Sequence, residues 1–265
     1  MVFADLHVHT TASDGTMPLS AIPAAARGVG VRAVAVTDHE RPHPELDDPI
    51  VQREGVTIVH GLEVRVEAPT EQRVDLLGYG LTRTAALESM VERVQRNRVE
   101  RGHAIVDRVE RYLDLELDVT VGPGTGRPHV ARAIENHPDA PYDYAGAFAD
   151  LIGSDGPCYV PREIPSFERA VAVLRDSCAL VGLAHPLRYR EPADALALAA
   201  DLDAVERWYP YEDAVDDGDE ALVERTIADH DLVPTGGSDA HDDVLGRAGL
   251  DRDSFQTFRT ACGWD

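Results

Sequence analysis

Short apolar runs rich in β-branched residues recur along the chain with helical patterns between them. This alternation restricts the fold more than any other feature. The runs are VFADLHVH (2–9), VRAVAVTDH (31–39), VTIVHGLEVRV (56–66), RVDLLGYGL (73–81), ALVGLAHP (179–186), DAVERWY (203–209) and LVPTGGSDAH (232–241). PLSAIPAAARG (18–28), opened by proline and ended by glycine, reads as a helix, as does SFERAVAVLRDS (166–177) with Ser166 as its N-cap. Strands alternating with helices predict an α/β chain with a mostly parallel sheet, open or closed into a barrel. Residues 83–160 break the rhythm. They open with TAALESMVERVQRNRVERGHAIVDRVERYL (84–113), carry no convincing strand and read as a helical insertion. Residues 1–82 and 161–265 then form one discontinuous α/β domain.

What ends the strands is the second constraint. His7 and His9 lie two apart at the end of the first run, so both side chains face one side of a strand and converge. Asp14 follows in the next turn. The second run ends in Asp38 and His39, the third reaches Glu63, the fifth ends in His185, and the last runs into Asp239 and His241. Parallel barrel strands share one face at their C-terminal ends, where active sites lie. Histidine mixed with carboxylates, and no thiolate, suits Mn²⁺, Zn²⁺ or Fe²⁺. The donors outnumber what one ion needs, which implies two or three ions bridged by a carboxylate.

HVHTTASDG (7–15), TDH (37–39), GLE (61–63), AHP (184–186) and GSDAH (237–241), in this order, resemble the signature of the polymerase and histidinol phosphatase (PHP) phosphoesterases. The likeness covers almost the whole chain, including GRPHVARAI (126–134) in the insertion. It is nearest to the branch with nucleoside 3′,5′-bisphosphate phosphatases and 5′-to-3′ RNA exonucleases. The resemblance implies a distorted (β/α)7 barrel with a trinuclear centre. His7, His9, Glu63 and Asp239 would hold one ion and Asp14, His39 and His241 another, while Glu63 and His185 would share a third. Mn²⁺ is the implied metal, with Zn²⁺ or Fe²⁺ as alternatives. Where relatives have His in a phrase like HLLGY, this chain has Asp75 in VDLLGYG (74–80), which reads equally as a ligand and as a surface carboxylate.

The implied reaction is hydrolysis of a phosphate monoester by hydroxide bridging two ions, with Glu63, Asp239 and His241 as the catalytic set. The implied substrate is a nucleoside 3′,5′-bisphosphate or the end of a short oligonucleotide. Guanidinium matches phosphate oxygens, and the candidates are Arg127 in GRPH and Arg188 in HPLRY. His129 is either a further contact or the cap of a helix starting near Pro128. The insertion would lower Arg127 and His129 onto the mouth of the barrel as a substrate cap. Three other readings stay open: a histidinol-phosphate-type phosphatase, an amidohydrolase, and a degenerate barrel kept for binding. The absence of lysine speaks against the amidohydrolase.

Composition bounds the partners. A hydrophobic fraction of 43% suffices for a core. Against 48 acidic residues stand 25 basic ones, all arginine, for a net charge of -23. The acidity is spread, as in PELDD (44–48), VDDGDEA (215–221) and HDDVLGRAGLDRD (241–253), and resembles in composition the proteins of salt-accumulating archaea. Such a surface repels nucleic-acid backbones, which favours a small phosphorylated substrate over duplex nucleic acid. Cys158, Cys178 and Cys262 lie far apart and fit free thiols in a reducing compartment. The start MVFADLH lacks the pattern of a secretory signal, and no apolar run reaches membrane-spanning length. Both features predict a cytoplasmic protein without a membrane partner.

Overall fold

The structure is a computed structural model that describes residues 1–211 and 215–264. Contacts divide the chain into two units, Met1–Met90 with the chain from Ile164 on, and Val91–Glu163.

The first unit is built on one mixed sheet. Its strands are β1 (Ala4–Val8), β2 (Ala33–Val36), β3 (Ile50–Arg53), β4 (Val56–Glu67), β5 (Arg73–Tyr79), β6 (Leu180–Leu183), β7 (Ala204–Trp208) and β8 (Val233–Gly236). They lie in the order β1-β2-β4-β5-β6-β7-β8, with β3 paired to β4 outside this path. The β1–β2, β2–β4, β6–β7 and β7–β8 pairs are parallel. β4 is antiparallel to β3 and β5, and β5 to β6. The ends of the sheet come together just past β8, where Ala240 bridges Val8 in parallel and accepts the His9 N–H at 2.9 Å. Only glycine permits this approach: a Cβ on Gly237 would stand 2.3 Å from the His7 nitrogen. The result is an α/β fold, a distorted (β/α)7 barrel. Helices α1 (Ile22–Gly28), α5 (Phe167–Arg175), α6 (Pro192–Ala197), α7 (Asp217–His230) and α8 (Arg252–Ala261) belong to this unit.

Period-two alternation sorts the core. Ala33, Ala35 and Val59 pack with Phe255 and Phe258 of α8. Val34, Val36 and Ile58 pack with Ile22 and Ala26 of α1. Leu6 and Val8 divide between these two cores, although alternation alone puts them on one face, because the β1 register slips between Asp5 and Val8. β3 lies outside the expected strand set. It returns onto β4 through Glu54 and Gly55, both at positive φ (49° and 78°), the backbone of a tight hairpin turn.

The second unit continues helix α2 (Ala85–Leu113) and adds α3 (Arg127–Asn136), the single turn α4 (Tyr144–Gly146) and π-helical turns over Ala147–Ile152. Ile105 and Val109 of α2 pack with Val130 and Ile134 of α3 and with Leu151 and Cys158. Among the described residues no helix is long and apolar enough to cross a membrane.

Candidate metal centre

His7 lies in β1, and His9 follows it by one residue past the strand. Asp14 sits in the next turn, and His39 pairs with Glu63 in a parallel bridge beyond β2. His185 follows β6, while Asp239 and His241 lie on the loop after β8. The expectation of a ligand at the C-terminal end of nearly every strand is corrected at Glu63 and does not describe Asp75. Glu63 lies within β4, because the strand runs on to pair with β5 after leaving β2. Asp75 is the third residue of β5, whose antiparallel course brings its start to the face where the parallel strands finish. Asp75 is also buried, so it is not a surface carboxylate.

The donor atoms fall into three groups: His9, Asp14, His39 and His241; His7, His9 and Glu63; and Glu63, Asp75 and His185. His9 Nε2 stands 3.1 Å from Asp239 Oδ1 and 3.5 Å from Glu63 Oε2. His7 Nε2 is 3.4 Å from Asp239 Oδ1 and 3.6 Å from Glu63 Oε1. His241 Nε2 is 3.4 Å from Asp14 Oδ1. Such separations are those of atoms about 2.0–2.2 Å from a shared centre. His7 Nε2, both ring nitrogens of His9 and Asp14 Oδ1 are buried without a well-directed hydrogen bond. Divalent cations would satisfy His7 Nε2, Asp14 Oδ1 and the lone-pair nitrogen of His9, so these residues fit a metal site.

Electrostatics agree. Burial would raise the carboxyls of Asp14, Glu63 and Asp239, but the surrounding imidazoles outweigh it and hold all three well below the usual range. Burial, with His39 and His241 alongside, lowers His9, which favours the neutral ligand form. For His7 burial is opposed and outweighed by Glu206, Asp239 and Glu63, which raise it well above its ordinary value. Two candidate ligands have strained backbones: His185 at φ 29° and Asp239 at φ 50°.

Around the donors lies a shell of fixed partners, much of it invisible in the sequence. Glu206 is fully buried in β7; its Oε1 stands 3.0 Å from His7 Nδ1 and its Oε2 accepts the His185 N–H at 2.7 Å. His241 Nδ1 lies 2.9 Å from the Asp239 carbonyl, which can only accept, so Nε2 is left free to face Asp14. Asp38 accepts from the Thr10 N–H and hydroxyl and from the Ser13 hydroxyl, and so shapes the loop bearing Asp14. Arg65 forks Asp75, Nε to Oδ1 at 2.8 Å and Nη2 to Oδ2 at 2.6 Å. The signal for Arg65 was its place two residues after Glu63, on the same side of β4. For Glu206 it was a charged residue within an apolar strand.

Of the expected phosphate contacts, Arg188 stands at the centre, donating to Asp239 Oδ2 at 3.0 Å and to the Tyr209 hydroxyl at 2.9 Å with half its side chain exposed. Tyr209 in turn donates to Asp239 Oδ2 at 2.8 Å. Arg127 and His129 lie in the second unit. Arg127 opens α3, lies over the Phe148 ring and donates to the Ile152 carbonyl at 3.4 Å. His129 Nδ1 accepts the Gly126 N–H at 3.1 Å, capping that helix, which begins at Arg127.

The PHP domain family matches residues 5–156. A phosphoribosyl 1,2-cyclic phosphate 1,2-diphosphodiesterase of Eggerthella lenta is 28% identical over 256 residues, 89% of this chain and 93% of that protein. The 5′-3′ exoribonuclease Rnm of Escherichia coli K12 is 28% identical over 199 residues, 71% of this chain and 67% of that protein. Among solved structures, a protein of Bifidobacterium adolescentis assigned as a metal-dependent phosphoesterase superposes with a TM-score of 0.78 at 23% identity, over 97% of this chain and 96% of that one. An amidohydrolase of Chromobacterium violaceum with bound sulfate and no metal gives 0.74 at 20% identity, over 98% and 96%. At these identities the two structures speak for the fold.

Proposed function

The chain belongs to the PHP domain family and is a metal-dependent hydrolase of phosphoric ester bonds, and on that premise we propose that it removes phosphate from a nucleotide carrying 3′ and 5′ phosphates or from the end of a short oligonucleotide. One observation carries the reading: the donor groups overlap at Glu63 and at His9, so the candidate sites are adjacent. Adjacent divalent ions, Mn²⁺ in this proposal, supply Lewis acidity toward phosphate oxygens and lower the pKa of water.

The chain's own groups do the rest. Glu63 and His9 fix the spacing between sites, and Asp239 and His241 complete the catalytic set. Arg188, half exposed beside Asp239, turns its guanidinium to the arriving phosphate. Tyr209 keeps its proton, since burial and Asp239 push the phenol far up, so its hydroxyl remains a neutral donor. Tyr209 also lines a cavity of about 460 Å³ with Leu187, Trp208 and Tyr211, an aromatic wall suited to a sugar or base. We further propose that Arg127 and His129 take the second phosphate. Names of relatives that cleave a ribose cyclic phosphate and RNA ends support a ribose-linked ester.

The test is kcat/KM for a nucleoside 3′,5′-bisphosphate, a 5′-monophosphate and an aryl phosphate, in wild type and Arg127→Ala, at matched salt and Mn²⁺. The bisphosphate should be preferred. Arg127→Ala should reduce its kcat/KM about 30- to 150-fold, the scale of a lost charge-assisted contact, and leave the aryl phosphate largely unaffected. Equal losses on all three substrates would remove the two-phosphate reading.

A further inference from the structure

We propose that Arg65, anchored by Asp75, occupies the place of a third ion, so that the centre holds two divalent cations and one guanidinium that grips the substrate phosphate. The proposal rests on the phosphoester reading for the identity of that anion.

The three donor groups are not alike. Of the buried donor atoms without a hydrogen bond, His7 Nε2, His9 Nδ1, His9 Nε2 and Asp14 Oδ1 belong to the first two groups, and Glu63 Oε2 belongs to a residue shared by the second and third. In the third group His185 Nε2 is already 3.1 Å from Glu63 Oε1 in a hydrogen bond, and it lies 3.8 Å from Asp75 Oδ2, wider than the 2.8–3.6 Å spacings elsewhere. The nitrogen of His185 that lacks a partner is the other one, Nδ1. Both oxygens of Asp75 accept from Arg65.

The strand register builds this pair into the barrel. Arg65 on β4 stands directly opposite Asp75 on β5, two residues along from Glu63 and therefore on its side of the strand. The Tyr189 hydroxyl receives the Asp75 N–H at 2.8 Å and donates to the Ala184 carbonyl at 3.0 Å, so the β5 end of the pair is held from behind. A divalent ion bound through Asp75 would share its oxygen with a guanidinium, placing like charges side by side. Arg65 uses two of its five N–H groups on Asp75, and its side chain is 41% exposed, which leaves donors for a phosphate oxygen. The positive charge a third ion would bring is thus carried by the chain itself.

The experiment counts metal and measures inorganic phosphate binding. Protein saturated with Mn²⁺ and freed of excess should carry two ions per chain by elemental analysis. Arg65→Met/Asp75→Asn removes the pair without leaving a buried unpaired charge, and it should still carry two. Its dissociation constant for inorganic phosphate, by calorimetry on Mn²⁺-loaded protein, should rise about 10- to 100-fold. Three ions in the wild type falling to two in the variant would make Asp75 a ligand and overturn the proposal. Unchanged phosphate affinity would overturn the role of Arg65. Neither readout requires an ester to be cleaved, so a protein that cleaves no phosphate ester would defeat the proposed function and not this assignment.

Discussion

Glu206 and Glu63 are both buried glutamates, yet the geometry assigns them different work. Glu63 faces four imidazoles: His7, His9, His39 and His185. Glu206 touches the centre only through others, holding the ring of His7 and the backbone of His185. Glu63→Gln should therefore lose bound Mn²⁺ and hydrolysis together. Glu206→Gln replaces one acceptor with an amide NH₂ that must meet either an imidazole N–H or the His185 N–H, so one of the two holds is lost. The ions should still bind, with affinity weakened about 10- to 100-fold, the usual cost of losing a partner behind a ligand. Calorimetric Mn²⁺ titration distinguishes the two, and equal affinity in wild type and Glu206→Gln would refute the positioning role.

Strand β4 shows how much of this was legible in the sequence. GLE and the histidine pair of β1 are local patterns, visible without neighbours. That Asp75 meets Arg65 depends on the register of β4 against β5, and that Glu206 meets His7 depends on closure of the sheet, neither of which a linear pattern encodes. β4 also carries a residue with no place in the metal reading. His60, just before the strand leaves β2, is fully buried with both ring nitrogens lacking hydrogen bonds. Burial first, then Arg83 and His43, bring it down to about 3. An unfolded imidazole titrates near about 6.5, so between those values the unfolded chain holds the extra proton. The stability this neutral side chain allows is complete above about pH 6.5 and is lost as pH falls toward 3. At pH 5 the loss is about 2 kcal/mol. His60→Leu should remove that part of the slope. Urea midpoints at pH 7 and pH 5, in EDTA so that metal release does not contribute, provide the check. Equal losses in both proteins would show that His60 is protonated without cost.

At the scale of the whole molecule, charge sets the terms. A net charge of -23 on 265 residues means that carboxylates outnumber arginines 48 to 25, so nearly half of them have no arginine of their own. Surface pairs exist, such as Arg27 with Glu54, Arg96 with Glu92 and Arg247 with Asp242, and added salt weakens them. Each is worth about 0–1 kcal/mol, so their loss is small beside the repulsion among the excess carboxylates. Screening acts on that repulsion directly: the Debye length falls from about 30 Å at 0.01 M to about 10 Å at 0.1 M and about 3 Å at 1 M. The thermal midpoint of the metal-loaded protein should therefore rise with potassium chloride, by about 5–10 °C between dilute buffer and 1 M if a few kcal/mol of repulsion are relieved. Most of the rise should come below about 0.5 M, where the screening length changes fastest; strengthened apolar burial would instead continue to grow with concentration. A midpoint that stays flat across the series would mean that the carboxylates lie too far apart to repel, and the acidic surface would then bear on which partners approach but not on stability.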